Sequence, residues 1–186
     1  MRRVVVTEFV SLDGVMEDPR WTFQFERGAD GDKFKLDEVR EHDALLLGRV
    51  TYEGFAEAWP SRTDDVGFAD KMNSMAKYVV STTLQEAEWN NSTVIKGDVA
   101  EEISKLKQQP GSDILVAGSR TLVQTLMQHD LVDEYRLMVF PVVLGSGMRL
   151  FTDESERTAL RLADTKTVGE GVLILIYEPA RKEADA

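Results

Sequence analysis

Apolar residues along this chain fall into short continuous runs, separated by longer stretches in which apolar positions recur at helical spacing. Residues 2–10 form the first run, rich in Val4-Val5-Val6 and Phe9-Val10, and predict a buried strand that Thr7-Glu8 interrupts. Residues 11–30 read as a long polar loop, with Gly14, Pro19 and Gly28 as breakers, and residues 32–41 suit a helix with Phe34 and Val39 on one face. Ala44-Leu45-Leu46-Leu47 is the kind of run expected of a strand buried on both faces, closed by Gly48 and followed by a helix near Thr51. A helix over 67–76, strands at Tyr78-Val79-Val80 and Thr93-Val94-Ile95, and a helix over 98–108 capped by Asp98 come next. Ile114-Leu115-Val116-Ala117 predicts another buried strand, and 119–128 another helix. Three strands close the chain, over 134–143, 159–167 and 171–178, the last two joined by a Gly169-Glu170-Gly171 hairpin turn.

Strand–helix units in succession imply a mostly parallel sheet with helices on both faces, and the terminal hairpin adds antiparallel strands at one edge. The predicted fold class is therefore a three-layer α/β fold. The 186 residues, 42% of them hydrophobic, suit one domain spanning 1–186. The apolar start after Met1-Arg2-Arg3 is too short for a signal peptide and no stretch approaches a membrane span. With no cysteine for disulfides, a cytoplasmic location is the default expectation.

A formal net charge of −11 opposes nucleic acid and anionic membranes, and only Arg2-Arg3 and Arg181-Lys182 pair basic residues side by side. An anionic ligand would have to be held by a few local donors. Two junctions offer them. In Leu47-Gly48-Arg49-Val50-Thr51-Tyr52-Glu53 a buried strand ends at glycine and a helix begins; Ala117-Gly118-Ser119-Arg120-Thr121-Leu122 repeats the pattern. The first N–H groups of a helix lack internal partners and carry partial positive charge, so a phosphate fits there, and glycine admits it closely. The plainer alternative is that Thr51 and Ser119 merely cap their helices. Gly145-Ser146-Gly147 lacks the third glycine of a dinucleotide fingerprint and follows a late strand.

With Ser11-Leu12-Asp13-Gly14, Gly48–Glu53, Ala117–Arg120 leading into Leu131-Val132-Asp133-Glu134, and Pro141–Phe151, the chain resembles the dihydrofolate-reductase-like superfamily. It resembles in particular the reductase domain at the C-terminus of bifunctional riboflavin-biosynthesis deaminase/reductases. That resemblance implies an NADPH-dependent reductase of a small heterocycle, such as 5-amino-6-(5-phosphoribosylamino)uracil or a pterin. It implies cofactor contacts at Gly48, Arg49 and Thr51, hydroxyls near the 2′-phosphate at Ser81 and Thr82, and a pyrophosphate loop at Gly118, Ser119, Arg120 and Thr121. Where the family often has Gly-Gly, this chain has Ala117-Gly118. The zinc-deaminase half has no counterpart here. Dimers are common in such domains, so a homodimer is expected, with 134–143 and 171–178 as long apolar strands near an exposed edge.

Hydride transfer also needs orientation and a proton. Asp13, at the end of the first strand, is the candidate catalytic residue; as an Asp-Gly turn residue it would be structural. Glu38 and Asp37 are weaker candidates, more simply read as a solvated helix face. Trp21, Phe23 and Phe25 either line a flat pocket or cover core, the second being simpler. His42 and His129 lack partners at metal-ligand spacing, so no metal is expected. Two rival readings remain open: a non-catalytic nucleotide-binding or regulatory protein, and a plain structural domain.

Overall fold

The computed structural model describes residues 1–152, 155 and 157–180; the Arg181-Lys182 pair lies outside them. The chain passes through β1 (Val4–Ser11), a 3-10 turn (Pro19–Gln24), α1 (Gly28–Glu41), β2 (His42–Gly48), α2 (Arg49–Ala58) and α3 (Phe68–Ser74). It continues through β3 (Ala76–Val80), β4 (Ser92–Ile95), α4 (Val99–Gln108), β5 (Asp113–Val116), α5 (Arg120–Gln128), β6 (Glu134–Phe140), β7 (Leu160–Val168) and β8 (Val172–Pro179). One sheet takes the order β4-β3-β2-β5-β1-β6-β8-β7. The first six strands are parallel, and β8 runs antiparallel to both β6 and β7.

Alternation along the central strands supplies both faces of the sheet. Val4, Val6 and Val10 of β1 join Ile103 and Leu106 of α4 and Leu122, Val123 and Leu126 of α5. Val5, with Leu45 and Leu47 of β2, meets Val39 of α1, Tyr52 of α2 and Met72 of α3 on the other side. The expected three-layer α/β architecture follows, because a parallel sheet needs helices on both faces to bury its continuous apolar strands.

The structure departs from the sequence reading in three places. The 11–30 segment contains the 3-10 turn and the first turn of α1, which starts at Gly28 on polar residues that carry no helical periodicity. β6 stops at Phe140, because Pro141 has no N–H to continue the ladder. Neither 134–143 nor 171–178 lies at an edge: β6 pairs with β1 and β8, β8 sits between β6 and β7, and the edge is the largely exposed β7. A hairpin fixes the pairing of its own two strands but not which of them docks onto the sheet.

One feature of the register positions the site. β1 and β5 pair only as far as Val6 and Val116, whereas β1 continues beside β6 to Ser11 and Phe140. Residues 7–11 thus extend past the end of β5, beside the turn that starts α5. Ligands of open α/β sheets bind at the carboxyl ends of strands where such a gap opens.

Candidate active site

The two strand–glycine–helix junctions are in contact. The Gly48 N–H donates to the Gly118 carbonyl at 3.1 Å. A side chain at Gly48 would run into Ser119, with its Cβ only 2.9 Å from that of Ser119. Thr51 Oγ1 lies 3.0 Å from where a Cβ on Gly118 would sit, and Gly118 has a positive φ of 87°, so glycine is required there on two counts. The Gly118–Ser119 peptide is cis. Gly48 is the N-cap of α2, and no side chain bonds that helix start; Thr51 sits within the first turn and is not the cap. Ser119 caps α5, its Oγ accepting from the Leu122 N–H at a long 3.5 Å. Arg120 and Thr121 form the first turn of α5.

Other predicted positions are engaged locally. Arg49 is half-exposed and forms a two-pronged ion pair with Glu53, at 2.9 and 2.8 Å. Ser81, at the end of β3, is buried and its Oγ accepts from the N–H groups of Thr83 and Leu84 at 3.2 and 2.9 Å; Thr82 is exposed.

Asp13 is built into a clamp between two loops. Its carboxylate accepts from Ser11 Oγ at 2.6 Å, Leu144 N–H at 3.1 Å and Gly145 N–H at 2.9 Å, and Arg149 lies 3.6 Å away. These donors, the Ser11 hydroxyl foremost, hold its pKa well below the usual carboxylate range. Beside the clamp runs an open groove of about 770 Å³, lined among others by Val15, Glu17, Trp21, Leu144 and Gly147; neither junction contributes to it.

Glu38 is not on a solvated face, as the sequence suggested. It is 1% exposed; Thr7 Oγ1 donates to Oε2 at 3.0 Å, Lys35 pairs with the same oxygen, and Arg136 of β6 lies 4.0 Å from Oε1. Helical geometry turns Lys35 and Glu38 toward β1, whereas Asp37 pairs with Lys33 in solvent. Trp21 and Phe25 pack against Phe140, with ring centroids 5.6 and 5.9 Å away, and cover core, while Trp21 also lines the groove; Phe23 is exposed. His42 is buried, its Nδ1 2.6 Å from the Glu38 carbonyl, and desolvation lowers its pKa. Among the described residues no group of three or more His, Cys, Asp or Glu side chains could hold a metal ion, and no helix is long and apolar enough to cross a membrane.

Glu8 lies beside the Gly118 junction, and the sequence reading did not single it out. Its carboxyl is buried, with Oε1 3.7 Å from where a Cβ on Gly118 would sit. Desolvation pushes its pKa up to about 8 against the opposing pull of Lys35, with Glu38 raising it further.

Comparison with known proteins decides the family. Residues 2–174 match the RibD C-terminal domain. The chain belongs to that family. The uncharacterized protein YyaP of Bacillus subtilis (strain 168) is 33% identical over 183 residues, covering 95% of this chain and 94% of that protein. YwjB of the same organism, also uncharacterized, is 35% identical over 175 residues, covering 92% and 95%. Among solved structures, a protein of Shewanella sp. PV-4 assigned to riboflavin biosynthesis superposes with a TM-score of 0.78 at 22% identity, covering 96% of this chain and 99% of that one. The bifunctional diaminohydroxyphosphoribosylaminopyrimidine deaminase/5-amino-6-(5-phosphoribosylamino)uracil reductase of Thermotoga maritima superposes with a TM-score of 0.67 at 15% identity. That match covers 96% of this chain but 57% of the Thermotoga protein.

Within this RibD C-terminal domain, the signal for Glu8 was present but unread. A lone carboxylate in Val4-Val5-Val6-Thr7-Glu8-Phe9-Val10 has no solvent-facing side to occupy if the strand is covered on both faces. The same reasoning finds Lys77 of β3, which is fully buried and donates to the carbonyls of Asn73, Met75 and Asn90 at 2.7–2.9 Å. Lys77 lies away from the junctions and serves the fold.

Proposed function

We propose that this protein is an NADPH-dependent reductase of a small heterocyclic substrate, of the class that includes 5-amino-6-(5-phosphoribosylamino)uracil and dihydropterins. The observation that carries the reading is the direct packing of Gly48 against Gly118 and Ser119, which gathers the starts of α2 and α5 at adjacent strand ends. A dinucleotide presents two linked phosphates, and two neighbouring helix N-termini with glycine at the turn fit them. The residues suit the group: α2 starts without a side-chain cap, and Gly118 keeps the turn beside Thr51 Oγ1 clear of a side chain.

When bound, NADPH supplies a hydride to a C=N or C=O group. Gly118, Ser119, Arg120 and Thr121 cradle the pyrophosphate, and Gly48 and Thr51 complete that cradle. Arg49, with Ser81 and Thr82 at the end of β3, receives the 2′-phosphate. Asp13, ionised, acts as an anchor that holds 144–145 beside the end of β1 rather than as a proton source. The chain works in the cytoplasm as a homodimer. The exposed edge strand β7 is an available pairing surface, and light scattering at micromolar concentration tests the assembly.

Fluorescence titration with NADPH, followed by turnover on a panel of the riboflavin-pathway pyrimidine, dihydropterins and related heterocycles, tests the assignment. Saturable binding with consumption of NADPH on one panel member is expected. Binding without turnover on any would favour a non-catalytic nucleotide-binding protein; no binding would leave a structural domain.

A further inference from the structure

We infer that Glu8 is a positioning residue for the nicotinamide end of the cofactor, one that distinguishes its oxidised from its reduced form. The inference rests on the cofactor reading above. It comes from strand order and from one unsatisfied oxygen. The proposed adenosine-side contacts lie at the ends of β3 and β2, and the pyrophosphate loop at the end of β5; the next strand in the sheet is β1. A dinucleotide laid across these ends in that direction brings its nicotinamide over β1. There the β1–β5 ladder has stopped at Val6 and Val116, and Glu8 is the second residue beyond it.

The Glu8 side chain leans toward the Gly118 turn. The residue is 9% exposed, and among the described residues Oε1 is one of few buried side-chain oxygens with no hydrogen-bond partner. A buried, unpaired carboxyl oxygen is costly, and an unfilled bond next to a ligand turn is what a ligand would complete. The groups facing it come from three directions. α1 presents Lys35 and Glu38, Glu38 itself being 4.0 Å from Arg136 of β6. α2 presents the neutral Thr51. The β5–α5 turn presents the Gly118 backbone, whose hydrogen bonding to the carboxyl opposes the rise in its pKa.

Such a carboxyl has two states suited to two ligands. With its proton, as burial favours near neutrality, Glu8 is uncharged and can donate a hydrogen bond beside the neutral dihydronicotinamide. Without it, the carboxylate lies beside the positively charged ring of NADP⁺, and opposite charges at close range favour ionisation. Exchanging the reduced for the oxidised ligand therefore releases a proton from Glu8. The 2′-phosphate is common to both ligands, so its own protonation cancels in the comparison.

The test is isothermal titration of the whole protein with NADPH and with NADP⁺ at pH 7, in two buffers of different ionisation enthalpy. Binding of NADP⁺ should release a substantial fraction of one proton more than binding of NADPH does. The ratio of NADP⁺ to NADPH affinity should rise between pH 6 and 8. In Glu8→Gln, checked for folding by circular dichroism, the extra proton and the pH dependence should vanish. NADP⁺ should weaken by about ten- to a hundred-fold in the variant at pH 8, the range that a one- to two-unit pKa shift from a neighbouring charge gives. Equal proton release for the two ligands, or a variant that weakens both equally, overturns the role of Glu8 and leaves the cofactor site standing. Failure of the wild type to bind either ligand overturns the cofactor reading, and the inference with it.

Discussion

The Gly48 N–H donates to the Gly118 carbonyl across 3.1 Å, and Ser119 fills the space where a Gly48 side chain would be. Two helix starts, with N-caps at Gly48 and Ser119, are thereby fixed as one surface.

Gly48→Ala should damage that surface. Gly48 has an ordinary φ of −74°, so the cost is steric: the new methyl would press on Ser119. Overpacking of this kind costs about 1–3 kcal/mol. A lowered Tm and a weakened NADPH affinity are expected, and Gly48→Ala with Ser119→Ala should recover part of both, since only the Oγ contact is relieved. Full stability in the single variant would show that the two turns can separate freely.

Arg49 should set the preference for NADPH over NADH. In the free protein it is paired with Glu53, so a phosphate must compete with that carboxylate. Charge-assisted hydrogen bonds contribute about 1.5–3 kcal/mol, so Arg49→Ala should weaken NADPH about ten- to a hundred-fold and spare NADH. Glu53→Gln should tighten NADPH modestly, most clearly at low salt. Parallel titrations decide it; equal losses for both cofactors would move Arg49 to the shared pyrophosphate.

Asp13→Asn should loosen the loop it holds. The amide keeps one acceptor oxygen for Leu144, Gly145 and the Ser11 hydroxyl, where the carboxylate offers two. Because the Asp13 pKa is depressed on folding, its contribution is present above the unfolded value and is lost as pH falls through the folded one, in strongly acidic solution. Limited proteolysis should cut residues 142–150 faster in the variant. An unchanged cleavage rate would show that the other bonds to this segment, such as Leu12 N–H to the Val142 carbonyl, Met16 N–H to the Met148 carbonyl and Leu150 N–H to the Gly14 carbonyl, suffice.

Glu8 should make stability fall with rising pH. Its pKa is raised on folding to about 8, so the folded state holds a proton that the unfolded chain has already lost. The stability present below about pH 4.5 is lost progressively up to about pH 8, where the folded state also ionises. His42, with a pKa lowered from 6.5 by burial, acts in the opposite sense below that value. The difference between wild type and Glu8→Gln isolates the carboxyl: urea unfolding should show the variant gaining on the wild type by a few kcal/mol from pH 5 to 8. Parallel curves would mean Glu8 stays solvated.

Lys77→Met should be severely destabilising. It leaves the carbonyls of Asn73, Met75 and Asn90 without their donor. Each buried acceptor left without its donor costs about 1–3 kcal/mol. Burial lowers the Lys77 pKa to about 8, so wild-type stability should rise again from pH 8 to 10.5, a rise absent in the variant.

The sequence by itself determined the elements and their punctuation. Val4-Val5-Val6, Leu45-Leu46-Leu47 and Ile114-Leu115-Val116 are continuous apolar runs that only a strand covered on both faces buries, and Gly48, Gly118 and Asp98 mark helix starts by local chemistry. Those signals are confined to a few adjacent residues, so one chain read in order reveals them, and the family resemblance along with them. What the tertiary structure decided depends on which strands are neighbours. The β2–β5 pairing brought Gly48 to Gly118, and the early end of β5 left Glu8 beside that turn. Packing of α1 on β1 buried Glu38, the 141–150 loop brought the Leu144 and Gly145 N–H groups onto the Asp13 carboxylate, and β8 rather than β7 took the place beside β6. Burial and proton affinity belong to the surroundings of a side chain, and here those surroundings come from segments up to 136 residues away, as between Asp13 and Arg149.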